Sequence, residues 1–179
     1  MKKIIFMFIC LFLLSGCNSI DNTPTKQVES FFNKYQTLHS DVLNDLDRVI
    51  SEEIVFDNTA REEYREVIKD QYKNLTYKIK DEFIDGDEAT VTAEITVTDY
   101  RKVLTETETY KNEHISEFQD ASGNYDSIKY SNYVIKELKK AKDKVSYTLE
   151  LKLTKTDEKW HLNNLDEATE DKILGIYQY

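Results

Sequence analysis

The chain reads as an α+β domain, with helices first and a mainly antiparallel sheet after them. Three patterns predict this. Apolar residues recur at spacings of three and four over roughly the first third of the chain behind residue 23. Strict apolar/polar alternation then runs from Ala89 to Thr98 and again from Val145 to Leu153. Between those two strands, residues 101–143 lose the alternation and carry a helical pattern instead.

The N-terminus stands apart from that domain. Lys2 and Lys3 precede an unbroken apolar run from Ile4 to Leu14, closed by Leu14-Ser15-Gly16-Cys17. This is the layout of a secretory signal, and the run is shorter than the about 20 residues that span a bilayer. Leu14-Ser15-Gly16-Cys17 resembles the bacterial lipobox. The resemblance implies lipid transfer to the Cys17 thiol, cleavage between Gly16 and Cys17, and acylation of the new amino group, such as by palmitate. It places the mature chain on the extracytoplasmic face of a cell membrane, held there by lipid. A diacylglycerol thioether supplies the two chains that stable anchoring needs. The alternative is an ordinary secreted protein with Cys17 a free thiol.

Removing residues 1–16 of the 179 leaves 163, enough for one domain with a real core. The expected organisation is a tether at 17–23 and one domain at 24–179, with an insertion at about 101–143. The removed stretch holds two lysines and no acid, so the formal net charge moves from −10 to −12. Such a surface repels phosphates, which argues against nucleic acid as a partner. The only cysteines are Cys10 and Cys17. The mature chain therefore offers no disulfide, no thiol nucleophile and no cysteine metal site.

Each element has its own signal. Thr23-Pro24 starts a helix, with the hydroxyl as cap and proline in the first turn. Val28, Phe31, Phe32, Tyr35 and Leu38 form its apolar stripe. Ser40 is read as the cap of a second helix with Val42, Leu43, Leu46, Val49 and Ile50. Ile54-Val55-Phe56 reads as a short edge strand. Thr59 and Glu62 suggest a capping box for a third helix carrying Tyr64, Val67, Ile68 and Tyr72. Leu75, Tyr77 and Ile79 begin a hairpin that turns at Asp85-Gly86-Asp87 and returns through Ala89, Val91, Ala93, Ile95 and Val97. From Tyr100 a helix is expected, although the Thr105–Thr109 alternation would also prolong a strand. Residues 120–124 form a loop, and Ile128 to Ala141 a further helix. Val145 to Leu153 is a strand, Trp160 and Leu162 a short one. Asp166 caps a last helix that Gly175 ends.

Three helices followed by a meander ending in Lys159-Trp160-His161-Leu162 resemble the nuclear transport factor two-like fold, a curved sheet wrapped around an N-terminal helix to make a cone. With the lipobox, the Val145–Leu153 strand, Trp160-His161-Leu162 and the helix running to Leu174-Gly175-Ile176-Tyr177, the chain is similar to small uncharacterised lipoproteins of low-GC Gram-positive bacteria. The insertion at 101–143 falls between strands that are neighbours in that fold, so the pairing order stays open. The fold hosts enzymes and binding modules alike and does not choose between them.

No catalytic or metal-binding frame is visible. His39, His114 and His161 have no metal-ligand spacing. Asp81, Glu82, Asp85, Asp87 and Glu88 crowd the hairpin tip, but Phe83 and Thr92 fall where a calcium loop needs ligands. There is no phosphate loop, no nucleophile elbow and no cofactor motif. The positions assigned to the inner face of the sheet contain no Asp, Glu, His, Lys or Cys. Tyr35, Tyr77, Tyr147 and Trp160 are placed there as candidate pocket lining. The expectation is a membrane-anchored module that binds a protein or a small apolar ligand without turnover. An isomerase, dehydratase or hydrolase of the cone-shaped fold is the alternative.

Overall fold

The computed structural model describes residues 22–52 and 57–178. The lipobox, Gly16, Cys17 and the Ile54-Val55-Phe56 segment lie outside them. None of the described helices is long and apolar enough to cross a membrane.

The architecture is α+β, with helices α1 (Pro24–Gln36), α2 (Ser40–Glu52) and α3 (Asn58–Asn74) preceding strands β1 (Thr76–Asp85) and β2 (Glu88–Thr98). Helix α4 (Tyr100–Glu113), a 3-10 turn (Ile115–Phe118) and helix α5 (Ser127–Leu138) follow. Strands β3 (Lys144–Thr156) and β4 (Lys159–Leu162) and helix α6 (Glu167–Leu174) complete the order. The four strands form one open antiparallel sheet in the order β1-β2-β3-β4. Residues 105–109 are helical, not a continuation of β2.

The insertion does not disturb the sheet. β2 and β3 pair along their whole length, from Glu88 opposite Thr154 to Thr98 opposite Lys144. The Asp99 amide donates to the Asp143 carbonyl at 2.8 Å, so the chain leaves and re-enters the sheet at one point. Sheet alternation then decides the core. Val91, Ala93, Ile95 and Val97 face Leu151, Leu149, Tyr147 and Val145, and all but Val145 are buried. Val28 and Phe32 of α1 are fully buried over this face. Each large side chain removed from water there contributes roughly 1.5–3 kcal/mol.

Three local expectations need correction. Helix α3 is capped by Asp57, whose carboxylate accepts from the Ala60 amide at 2.8 Å, and Thr59 lies inside the helix. An aspartate two residues earlier meets the first-turn amides first. At α2, Ser40 is already helical, and the His39 Nδ1 lies 3.4 Å from the Asp41 amide in the capping position. The cause is the abrupt end of α1. Leu38 takes a left-handed φ of 53°, and the His39 amide closes back on the Lys34 carbonyl.

The third correction concerns the inner face. The β1–β2 register slips between Ile79 and Asp81, making Lys80 a bulge. Before it Tyr77 and Ile79 oppose Ile95 and Ala93. After it Glu82 and Ile84 oppose Val91 and Ala89. A one-residue slip turns every later side chain over. It leaves Phe83 on the outer face at 67% exposure and brings Glu82 to the inner margin. That carboxylate accepts from the Thr25 amide at 2.8 Å, satisfying one of the unpaired N–H groups of α1.

Candidate functional site

The helices build an apolar groove shared by several elements. α2 is fastened to α3 from one side. Arg61 Nη1 donates to the Ile50 and Ser51 carbonyls at 3.1 and 2.9 Å. Arg65 grips the Asp47 carboxylate with Nε at 2.6 Å and Nη2 at 3.2 Å. These bonds hold the Asp47 carboxyl below its usual range and raise the Arg65 pKa. α6 is fastened at its far end. The buried Gln71 side chain donates to the Leu174 carbonyl at 2.8 Å and to the Thr98 carbonyl at 2.9 Å, and accepts from the Thr98 amide at 3.0 Å.

Held in this way, α1, α2, α3 and α6 leave between them a groove of about 410 Å³. Its floor is Ile68, Tyr72 and Ile173, and its walls include Phe31, Tyr35, Leu46 and Tyr64. A second cavity of about 230 Å³ lies between α3, α4 and α5, lined by residues such as Leu104, Val134 and Ile176. The two share Tyr64, Ile68 and Leu174 in their linings, so the apolar lining continues from one to the other.

Aromatic packing shapes the first cavity. The Tyr35 ring meets Phe31 at 5.0 Å and Tyr72 edge to face at 4.8 Å. Burial, together with the charges of Glu170 and Asp45, pushes the Tyr35 pKa up to about 12 and that of Tyr72 upward as well. Both phenols are neutral across the physiological range. Asp41, Asp45 and Glu170 line the same cavity with Lys34 and Arg48. Lys34 lies 3.7 Å from Asp41, and Arg48 3.7 Å from Asp45.

A cavity of about 440 Å³ between α4 and α5 has a different character. It is lined by side chains that neutralise one another, Lys102 with Asp143 and Lys140 with Glu137. The insertion has its own aromatic cluster, in which Tyr110 stacks on Tyr133 at 5.0 Å and on His114 at 4.1 Å.

The four residues singled out from the sequence do not meet in one pocket. Tyr35 lines the helical groove. Tyr77 stacks on Phe32 at 4.6 Å. Tyr147 is buried, with its ring 6.0 Å from that of Tyr177, and these two line a separate cavity with Glu106. Trp160 is buried at the start of α1, its amide donating to Asn22 Oδ1 at 2.9 Å. Tyr77 and Tyr147 sit on either side of Ile95, separated by a strand. Cys17 and Gly16 fall outside the described residues. Sequence reasoning missed Tyr64, Tyr72 and Leu174 as cavity lining, because they read only as core positions of two distant helices.

Acid–base pairing is sparse. Among the described residues the one histidine within ion-pair distance of a carboxylate is His39, 3.4 Å from Asp41, and both side chains are exposed. Glu108 is bonded to Lys111 and Tyr130, and His114 to the Tyr110 carbonyl. Among the described residues no group of three His, Cys, Asp or Glu is arranged to hold a metal ion.

No protein-family model matches the chain, and no curated protein matches it. Among solved structures it is similar to YcdA of Bacillus subtilis, a candidate lipoprotein, at 22% identity and a TM-score of 0.42. That alignment covers 69% of this chain and 39% of YcdA, so the chain spans well under half of that neighbour's length.

Proposed function

We propose that this chain is a lipid-anchored extracytoplasmic module that binds a small apolar ligand in the helical groove without turning it over. The observation that carries the binding is the apolar lining shared by two cavities through Tyr64, Ile68 and Leu174. Concave, mainly apolar sites with a few polar groups at the rim are the usual form of small-molecule sites. Anchoring is supported by Leu14-Ser15-Gly16-Cys17 behind its apolar run. Binding rather than turnover is supported by the exposed setting of the His39–Asp41 pair, since acid–base catalysis draws on groups whose surroundings pull their pKa values apart. A relation to the cone-shaped fold is supported by α1 lying across the inner face of the sheet.

Two measurements test this. Cys17→Ser is expected to leave the protein unprocessed or released. Normal processing with unchanged partition into detergent would remove the anchor from the reading. A neutral apolar dye, N-phenyl-1-naphthylamine, is expected to brighten on the wild-type protein. Leu174→Trp, which fills the junction of the two cavities, is expected to abolish that signal with little change in thermal midpoint. Equal brightening by both proteins would remove the groove.

A further inference from the structure

The groove carries more than an apolar wall. Tyr72 is 9% exposed, yet among the described residues its hydroxyl has no hydrogen-bond partner, and it lines the cavity. Tyr35 is half-buried, its ring lies against that of Tyr72, and among the described residues its hydroxyl also has no hydrogen-bond partner. Among the described residues no buried side-chain oxygen lacks a partner, so these two hydroxyls open onto the groove and are available to a ligand there. A phenol oxygen accepts as well as donates. Beside them stands Glu170, paired with none of the described cations, whereas Asp41 and Asp45 are each matched by a cation.

We propose that the groove selects a primary alkylammonium, a cationic amphiphile, from among apolar ligands. Its ammonium N–H groups donate to the Glu170 carboxylate and the two phenol oxygens. The ring faces add the attraction of an aromatic quadrupole for a cation. The alkyl body lies along Ile68 and Leu174 toward the second cavity. An anionic head group meets three carboxylates against the two cations Lys34 and Arg48, on a chain of net charge −10. A neutral one leaves Glu170 without a partner. This inference rests on the groove being the binding site.

The test compares three ligands with one chain length and different heads: octylammonium, octyl glucoside and octanesulfonate, each below its micelle concentration, by titration calorimetry. Octylammonium is expected to bind about tenfold more tightly than the glucoside, equivalent to about 1.4 kcal/mol. Octanesulfonate is expected to bind least. Glu170→Gln, at an exposed position, should lower octylammonium affinity to near that of the glucoside and leave the glucoside unchanged. Tyr72→Phe should weaken octylammonium selectively. Equal affinity for all three heads, or an unchanged Glu170→Gln variant, would overturn the cation and keep the apolar groove. No binding by any of the three would overturn the groove itself.

Discussion

Gln71 and Thr98 hold each other by two hydrogen bonds, the Gln71 amide oxygen taking the Thr98 N–H at 3.0 Å and its nitrogen giving to the Thr98 carbonyl at 2.9 Å. On the side away from β3, where β1 pairs no further than Thr96, a glutamine on α3 thereby takes the place of a strand partner for Thr98. Its second N–H reaches the Leu174 carbonyl, so one side chain ties three elements together at the point where the insertion begins.

Gln71→Leu should therefore be costly despite its similar size. It leaves the Thr98 N–H and two carbonyls without their partner, at about 1–3 kcal/mol for each group that stays dry. A loss of roughly 3 kcal/mol in urea unfolding is expected. A loss below about 1 kcal/mol would mean that water replaces the amide.

Gly175 makes the same junction sensitive to one methyl group. It sits at φ +74°, and a Cβ there would lie 2.1 Å from the Thr98 oxygen and 2.6 Å from Gln71 Nε2. Gly123, at φ +84°, has nothing near its Cβ position. Gly123→Ala should cost about 1 kcal/mol for the left-handed backbone alone, and Gly175→Ala at least about twice that. Matching midpoints for the two variants would show that the junction yields.

Strand phase gives a third test. Val91 and Leu149 are buried, and an aspartate at either should prevent folding, because an unpaired buried carboxylate takes several kcal/mol from the roughly 5–15 available. On the outer face Thr90 opposes Lys152, whereas Thr92 opposes Glu150. Thr90→Asp should be neutral, and Thr92→Asp should cost up to about 1 kcal/mol through like-charge contact. Thermal midpoints in the reverse order would disprove the register.

The alkaline limb of stability should report Tyr35. Burial raises its folded pKa to about 12, from the 10.0 ordinary for a phenol. The unfolded chain loses this proton first, so the folded state binds more protons between those values. The stabilising contribution is full below pH 10 and is lost as pH rises toward about 12. Tyr35→Phe should flatten that part of the profile, as followed by urea midpoints and tyrosinate absorbance. A variant as steep as wild type would assign the slope to other groups.

Much of the fold was legible because period is a local property. The odd positions of β2 and β3 show their phase in sequence, and so does the stripe of α1. The Asp166 and Gly175 caps are equally local. The Lys80 bulge was not legible, since a slip in pairing is decided by the partner strand. Gln71 carried no signal of its own, since nothing near it in sequence marks Thr98 or Leu174. The groove was hidden for the same reason: Tyr35, Tyr72 and Glu170 belong to three helices whose approach is set by tertiary contacts.

The contacts at the start of α1 have a directional meaning. Asn22 is bonded to Trp160, and Thr25 to Glu82, at the end of the sheet that carries both hairpin turns. If Cys17 bears the lipid, only four residues separate it from Asn22, five steps of chain with a reach of about 18 Å at most. That end of the sheet must then look toward the bilayer. β2 rises 11 residues from its turn to Thr98, roughly 36 Å, before α4 begins. The inserted helices would crown the far pole, held away from the lipid by the height of the sheet and offered to whatever passes outside.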